Sequence, residues 1–249
     1  MNQAAVDMAN GYDDARMAAF RSAELTSDAD KQAGARSDMY ALMADLFRYP
    51  DKEFQAFVRN GELRDVLVGI AKNLPFACAL SDGETEKLRF SPLLDEEGIE
   101  SGFIRIFESG PGDPPCPLIE GKYVKDSNRR SIFEDLIRFY NHFGLSYAEG
   151  SYEDRPDHII YEMEFMHYLC FLTLRAGQQE KETGDLLQAQ HDFLKHHLAK
   201  WADKLADNVG QVVGSVPEDL AGAFYNNIAM LLARFIEGDY AYLNDRPTS

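Results

Sequence analysis

The sequence predicts an all-α fold, built as a single globular multi-helix domain of about ten helices. Apolar side chains recur at helical spacing in one segment after another, and no segment shows the period-two alternation of a half-buried strand. The chain has 249 residues, of which 45% are hydrophobic, so it can bury a core of ordinary size. The sequence contains no internal repeat of the kind that a solenoid requires, so we expect one packed helical globule.

The first predicted helix follows a polar N-terminal arm. Residues 1–36 are rich in Ala, Asp, Ser and Gly and contain few large aliphatic side chains, which indicates a flexible arm. The all-helical domain then covers residues 37–249, with Ser37 as the expected N-cap of its first helix and Pro50 as the stop. One apolar face predicts this helix and consists of Met39, Leu42, Met43, Leu46 and Phe47.

Two charged segments continue the predicted helices. Residues 53–74 are expected to form one or two helices with a break near the Asn-Gly pair at 60 and 61. Residues 86–109 are expected to form short helices interrupted at Pro92 and Gly98. Acidic residues concentrate in the second segment, which predicts either a solvated helix surface or a face for a basic peptide.

A proline-rich loop and another helix complete the N-terminal part of the domain, residues 37–144. The stretch GPGDPPCPLIEGKYV, residues 110–124, has prolines that forbid a helix and disfavour a central strand, so we expect a loop. A helix resumes over SIFEDLIRFYNHFG, residues 131–144, and Gly144 is its expected stop. A polar connector, residues 145–156, follows.

The C-terminal part of the domain, residues 157–246, contains further helical segments. The first begins after Pro156 and is discussed below. A long amphipathic segment is predicted from Thr183 to Asp203. The last helix is predicted by an apolar face that consists of Phe224, Ile228, Leu231, Leu232 and Phe235.

Charge and cysteine content restrict the function classes. The formal net charge of -17 disfavours nucleic acid and anionic membrane surfaces as partners and favours cationic ones. No segment approaches the roughly 20 apolar residues of a spanning helix, and no export signal precedes the domain, so we expect a soluble, cytoplasmic protein. The three cysteines are Cys78, Cys116 and Cys170, which are odd in number and far apart in sequence. We therefore expect reduced thiols, two of them in the core.

The segment PDHIIYEMEFMHYL, residues 156–169, carries the ionisable residues that point to function. Its helix is apolar on most sides, so we expect it to be central. The ionisable residues are Asp157, His158, Glu162, Glu164 and His167. They indicate a metal or catalytic site, a docking site for another protein, or a helix that keeps its polar side chains in solvent. Asp157 lies where a carboxylate can also cap the helix N-terminus.

A metal site is the alternative that the E-x-x-H spacing of Glu164 and His167 raises. This is the ligand spacing of di-iron bundles, and it would make the protein a helical metal-binding enzyme. Such a site needs a second E-x-x-H, and no other histidine has a glutamate three residues before it. The chain has no HExxH, GxSxG, phosphate-loop or GxGxxG motif. Cys116 between two prolines favours a fixed loop over a nucleophile, so we predict no catalytic residue, metal or cofactor.

The same segment resembles the TorD/DmsD/NarJ family of chaperones, which assist maturation of molybdenum enzymes. The family signature P-D-H-[IL]-x-x-E-L-x-F-M is matched by Pro156-Asp157-His158-Ile159, Glu162-Met163 and Phe165-Met166. Met163 replaces the usual leucine, a volume-conserving exchange. Further resemblances cover the first helix, the proline-rich loop, the F-x-x-x-H-L-x-x-W element and the final helix, at residues 39–50, 103–123, 193–205 and 223–243.

The resemblance, which covers about residues 37–246, implies an all-helical cytoplasmic chaperone without a reaction of its own. Family members bind the twin-arginine signal peptide of a molybdenum oxidoreductase catalytic subunit, and often the apo subunit as well. They hold the client until its cofactor is inserted and only then permit export. Relatives occur as monomers and as domain-swapped dimers, and the connector is where a swap could hinge.

The resemblance also implies where the peptide binds. Carried over residue by residue, the signal-peptide-binding residues are Asp157, His158, Glu162, Tyr123 and Glu120. Two guanidiniums followed by an apolar run would suit a groove with carboxylates at one end and Met, Phe and Leu beyond. The loop carries Cys116 where many members have an aromatic residue. Its pattern C-P-L-x-E-G-x-Y resembles chaperones that serve type II DMSO reductase enzymes acting on ethylbenzene, dimethyl sulfide, selenate or chlorate.

Overall fold

Helices form almost all of the structure. The computed structural model describes residues 6–7, 25, 27–77, 88, 90, 93–124, 128–146, 155–216 and 218–246. Nine α-helices lie in these ranges: α1 (Asp28–Leu46), α2 (Lys52–Arg59), α3 (Glu62–Ala71), α4 (Glu96–Phe103), α5 (Arg129–His142), α6 (Ile159–Gln178), α7 (Gly184–His196), α8 (Ala202–Gly214) and α9 (Leu220–Asn244). Two short strands, β1 (Val6–Asp7) and β2 (Leu145–Ser146), pair in parallel. The all-α prediction is confirmed, with slightly fewer described helices than predicted.

The first helix, α1, begins well before the start predicted at Ser37. Ser27 is the N-cap: its hydroxyl accepts the Asp30 N–H at 3.0 Å, and the Asp30 carboxylate accepts the Ser27 N–H at 3.3 Å. This reciprocal capping box satisfies free N–H groups of the first turn. Ser37 is fully buried inside the helix, so the predicted N-cap is wrong. Residues 28–36, assigned to the arm, belong to α1; of the rest of the arm, only residues 6–7, 25 and 27 are described.

Arg36, in this added part of α1, connects the helix to α9 in the interior. Its Nη2 donates to Asp239 Oδ2 at 2.9 Å, and Tyr40 donates its hydroxyl to the same oxygen at 2.7 Å. All three side chains are almost completely buried. A buried charge is tolerated only when it is paired and hydrogen-bonded, so this cluster fixes α1 against α9.

The two segments that follow α1 agree only partly with prediction. The break between α2 and α3 is confirmed at Gly61, whose φ of 81° lies in the left-handed region that favours glycine. The interruption predicted at Gly98 is wrong, because the Asp95 carboxylate accepts the Gly98 N–H at 2.8 Å and caps α4 there. Pro92 lies outside the described residues. A π-helical turn, Ile104–Glu108, continues α4.

The proline-rich loop runs from this π-helical turn toward α5 and contains a short 3-10 turn, Glu120–Lys122. Cys116 donates its backbone N–H to the Ile106 carbonyl at 2.9 Å, which anchors the loop on the preceding turn. Cys116 and Cys170 are free and buried, as predicted, while Cys78 lies outside the described residues. Past α5, Gly144 has a φ of 76°, which confirms the predicted stop.

The C-terminal half places α6 at the centre. It packs on α1 and α7, and α8 packs on α9. The amphipathic segment from Thr183 to Asp203 is divided, because α7 ends at His196 and a 3-10 turn, Leu198–Lys200, precedes α8. Buried apolar side chains from all these helices form one hydrophobic core. None of the described helices combines the length and apolar character that a membrane span requires.

Candidate functional site

The candidate site lies where the proline-rich loop meets the start of α6. Ile119 forms an antiparallel bridge with His158. The Glu120 N–H donates to the Asp157 carbonyl at 2.9 Å, and the Ile159 N–H donates to a loop carbonyl, also at 2.9 Å. Backbone groups that would be free at the helix start are therefore satisfied by the loop. This pairing brings Glu120 next to the P-D-H motif.

Asp157 holds the loop rather than capping α6. Its carboxylate accepts the Nε and Nη2 donors of Arg155 at 2.8 and 2.7 Å, a bidentate geometry. It also accepts the Gly121 N–H at 3.1 Å. The N-cap of α6 is His158, whose Nδ1 accepts the Ile160 N–H at 3.3 Å. The expectation that Asp157 caps the helix is wrong, because its carboxylate is taken by these donors.

Glu162, in the first turn of α6, is fully buried. Its Oε2 accepts the indole N–H of Trp201 at 3.2 Å, and its Oε1 has no hydrogen-bond partner among the described residues. Burial raises the pKa of Glu162 well above its usual value, and the nearby carboxylates of Glu120 and Asp157 add to the shift. The neutral carboxylic acid is therefore favoured at this position.

Glu120, the buried acid of the loop, contacts His197 between α7 and α8. Its Oε2 lies 2.9 Å from His197 Nδ1, and His197 Nε2 lies 3.5 Å from Asp135 Oδ2. Burial opposes the charged imidazolium, but the contacts with Asp135 and Glu120 outweigh it and raise the pKa of His197. The pKa of Asp135 is lowered, chiefly by His197. An acid–imidazole–acid chain thus joins the loop to α5.

Tyr123 completes the set that the sequence predicts. Its ring stacks on Trp201 with centroids 5.4 Å apart and planes at 22°. The structure therefore gathers all five predicted residues around the loop and the start of α6. Sequence reasoning missed three partners in this cluster: Arg155, His197 and Trp201. The last two are the histidine and tryptophan of the F-x-x-x-H-L-x-x-W element, which was the available signal.

Burial separates these five residues into two groups. Asp157, Glu162 and Glu120 are at most 1% exposed. His158 and Tyr123 are partly exposed. An incoming guanidinium could reach the buried carboxylates only by displacing their present partners. Of these two, His158 lines an open groove, where an external ligand can contact it directly.

An open groove of about 500 Å³ lies beside His158. Its described lining consists of Phe47, Arg48, Tyr49, Phe103, Phe107, Glu108, Pro114, Pro117, Leu118, Ile119, His158 and Ile160. Most of these side chains are apolar, and Tyr49 remains 46% exposed. Glu108 is exposed at the edge. The groove therefore offers an apolar floor with polar groups at its margin, a form suited to an extended or helical peptide.

Glu164 and His167 are engaged in contacts between helices. Glu164 is an ion-pair partner of Arg48, and burial raises its pKa to about 7 although Arg48 opposes the shift. His167 Nδ1 lies 2.8 Å from Ser37 Oγ and 2.9 Å from the Ser37 carbonyl. Within the described ranges, no group of three or more His, Cys, Asp or Glu could hold a metal ion. The spacing that suggested a metal enzyme thus has a structural explanation.

Comparison with known proteins identifies related chains. A family model described as the nitrate reductase delta subunit matches residues 83–207. A selenate reductase assembly chaperone protein from Thauera selenatis is 34% identical over 117 residues, which are 47% of this chain and 60% of that relative. A perchlorate reductase assembly chaperone protein from Dechloromonas aromatica (strain RCB) is 29% identical over 207 residues, covering 82% of this chain and 87% of the relative.

A third relative extends the same pattern. A chlorate reductase assembly chaperone protein from Ideonella dechloratans is 27% identical over 168 residues, covering 67% of this chain and 72% of the relative. The match thus spans less than two thirds of the selenate reductase relative and more than two thirds of the other two. All three are named as assembly chaperones of oxyanion reductases. Selenate and chlorate enzymes are among those that the loop pattern indicates.

Proposed function

The chain belongs to the nitrate reductase delta subunit family, the TorD-type family that its P-D-H motif resembles, and on this premise we propose that it is a cytoplasmic assembly chaperone. It serves one enzyme system, binding the twin-arginine signal peptide and the apo form of a molybdenum oxidoreductase catalytic subunit. It holds this client during cofactor insertion and permits export afterwards. The related proteins are named as assembly chaperones and not as catalysts, so the chain is assigned no reaction.

The observation that carries the proposal is the groove beside His158. A twin-arginine signal peptide has two adjacent guanidiniums and then an apolar run. The apolar floor of the groove suits the run. The carboxylates that suit the arginines are Glu108, which lines the groove, and Glu164, which pairs with the lining residue Arg48. The net charge of -17 would also accelerate capture of a cationic peptide.

The five residues named from the family motif have different tasks in this proposal. His158 contacts the peptide in the groove. Asp157 and Glu120 hold the loop that forms one wall of the groove, through their bonds to Arg155 and His197. Glu162 and Tyr123 support the same junction by packing on Trp201. Four of the five would therefore act on the peptide by positioning the wall.

The client is proposed from the relatives. Their names refer to reductases of selenate, perchlorate and chlorate. We infer that the client of this chain is a catalytic subunit of that type, in the type II DMSO reductase branch. The loop sequence with Cys116 in place of an aromatic residue agrees with this branch.

Calorimetric titration tests the proposal. The probe is a synthetic peptide with two adjacent arginines followed by an apolar run, compared with the same peptide carrying two glutamines. We expect stoichiometric binding of the arginine peptide and weak or no binding of the glutamine peptide. His158→Ala is expected to weaken binding by about fivefold, the size of one lost polar contact, and to lower the melting temperature by a few degrees, because it also removes the N-cap of α6.

The matched control is His142→Ala, which removes an exposed histidine at the end of α5, away from the groove. It should leave the affinity unchanged. Equal affinity of the wild-type protein for both peptides would contradict the proposed function. Equal effects of the two histidine substitutions would contradict the placement of the peptide in this groove.

A further inference from the structure

We propose that Glu164 is a guanidinium-binding residue of the groove and that Arg48 is its internal occupant, which an arginine of the bound peptide displaces. The inference rests on the proposed function, because it concerns how the same groove recognises arginine. Glu164 is not among the residues that the family motif names. Its role follows from its contact with Arg48 and from the position of both residues at the groove.

Arg48 lies between Glu164 and solvent. It comes just after Phe47, the C-cap of α1. Its guanidinium contacts Glu164 Oε1 through Nη2 and Asp45 Oδ1 through Nε, the latter at 3.2 Å. The Arg48 side chain is 49% exposed, whereas the Glu164 side chain is 9% exposed. Among the described residues that line the groove, Arg48 is the one lysine or arginine. The acid is thus covered by a cation that can move outward into water.

The position of Glu164 on α6 places it next to the groove. Ile160, which lines the groove, precedes it by one helical turn and lies on the same helix face. Asp157, at the start of the helix, is seven residues earlier, which corresponds to about 10 Å along a helix axis. Asp157 likewise binds a guanidinium of the chain itself, that of Arg155.

Two carboxylates of this segment therefore each hold an internal arginine, and His158 and Ile160 lie between them in sequence. Adjacent residues of an extended peptide have Cα atoms about 3.8 Å apart, and their side chains point to opposite sides. The long arginine side chains can therefore bring one guanidinium to Glu164 and leave the other for the exposed carboxylate of Glu108, which also lines the groove. A peptide with a single arginine could pair with only one of these two acids, Glu164 or Glu108.

Exchange explains why an acid so little exposed can serve as a receptor. A carboxylate buried without a partner would be strongly unfavourable, so an empty acid at this depth would bind a proton. Arg48 opposes this effect of burial and leaves the pKa of Glu164 at about 7, so that the acid can ionise near neutral pH before the peptide arrives. When a peptide arginine replaces Arg48, the acid remains paired, and the released side chain, already half-exposed, is hydrated and stays near Asp45. A guanidinium matches a carboxylate in a bidentate geometry that an ammonium cannot adopt, which favours arginine over lysine.

The test measures the affinity of the full chain for the arginine peptide in two variants. Glu164→Gln removes the acid and is expected to weaken binding by about tenfold, the size of a charge-assisted hydrogen bond. Arg48→Lys keeps a positive charge beside Glu164 but loses the guanidinium fork. It should be displaced more easily and tighten binding by about threefold. The control is Arg130→Lys, an exposed arginine on α5, which should change nothing.

A double-mutant cycle separates recognition from a structural role. Peptides in which either arginine is replaced by glutamine are titrated against wild type and Glu164→Gln. In the exchange mechanism, the effect of Glu164→Gln disappears with one of these peptides and persists with the other. If Arg48 and Glu164 only connect α1 to α6, Glu164→Gln affects all peptides equally and Arg48→Lys does not tighten binding. Either result overturns the inference. The proposed function still stands in that case, provided that the wild-type protein binds the arginine peptide. If the wild-type protein does not bind that peptide at all, the proposed function fails first.

Discussion

Trp201 donates its indole N–H to the buried carboxyl group of Glu162 at 3.2 Å, and this bond joins the segment before α8 to the first turn of α6. The Tyr123 ring stacks on the Trp201 ring, so the same indole also supports the proline-rich loop. One buried side chain therefore holds together three segments that are distant in sequence. The stability of the site should depend on it.

Trp201→Phe is expected to lower the free energy of unfolding by about 2 kcal/mol, because Glu162 would lose its described donor and remain buried. Urea unfolding followed by circular dichroism measures the change. Glu162→Gln is the comparison: its side-chain oxygen still accepts the indole N–H, so we expect a smaller loss. Equal losses in both variants would show that the hydrogen bond does not contribute as described.

Glu164 should make the protein less stable as the pH rises from 4.5 toward 7. Burial raises the pKa of Glu164 from 4.5 to about 7, so the folded state binds its proton more tightly than the unfolded state. The stabilisation that this group contributes is complete at pH values below its pKa in the unfolded state. It is lost as the pH rises through its pKa in the folded state. Melting temperatures measured across this range should show a smaller decline in Glu164→Gln than in wild type. An unchanged decline would contradict the shift.

His197 should add a loss of stability at higher pH. The contacts with Asp135 and Glu120 raise its pKa above 6.5 against the effect of burial. The imidazolium therefore stabilises the fold fully below 6.5, and this stability disappears as the pH rises through the folded pKa. His197→Gln should be less stable than wild type at pH 6 and should lose the part of the pH dependence above 6.5. A variant whose melting curve runs parallel to wild type would refute this assignment.

Asp157→Asn is expected to destabilise the protein by about 3 kcal/mol, because it leaves Arg155 partly buried without its bidentate acceptor and weakens the bond to Gly121. Asp113→Asn is the matched control in the same loop. Asp113 pairs with Lys122, but its side chain is 64% exposed, so we expect a change within about 0.5 kcal/mol. Chemical denaturation measures both. Similar values for the two variants would mean that the Asp157 pair contributes no more than a surface pair.

Two glycines should respond to alanine in opposite directions. A Cβ at Gly102 on α4 would collide with the Ala221 side chain of α9, so Gly102→Ala should destabilise the protein by about 1–3 kcal/mol. A Cβ at Gly69 on α3 would meet nothing within 4 Å. Gly69→Ala should therefore stabilise the protein by about 0.5–1 kcal/mol, since alanine loses less backbone entropy in a helix. Thermal unfolding of both variants checks the sign of each effect.

Much of the fold could be predicted because the signals are local. The break at Gly61 and the stop at Gly144 follow from the left-handed backbone that glycine permits. The central position of α6 follows from its apolar character on most sides. The start of α1 and the role of Gly98 were predicted wrongly. In both cases a cap at Ser27 or Asp95 outweighed residue preferences inside the helix.

The sequence by itself determined the helical architecture, the family and five of the residues that meet where the loop reaches α6. Helical periodicity and a contiguous motif are properties of neighbouring residues, which the chain displays without folding. Only the tertiary structure decided that Asp157, Glu162 and Glu120 are buried. It also decided that Asp157 and Glu120 are paired, that the pKa of Glu162 is raised, and that Arg48 covers Glu164. Such contacts join positions that are far apart along the chain, and whether a carboxylate is exposed or buried depends on which distant side chains pack around it.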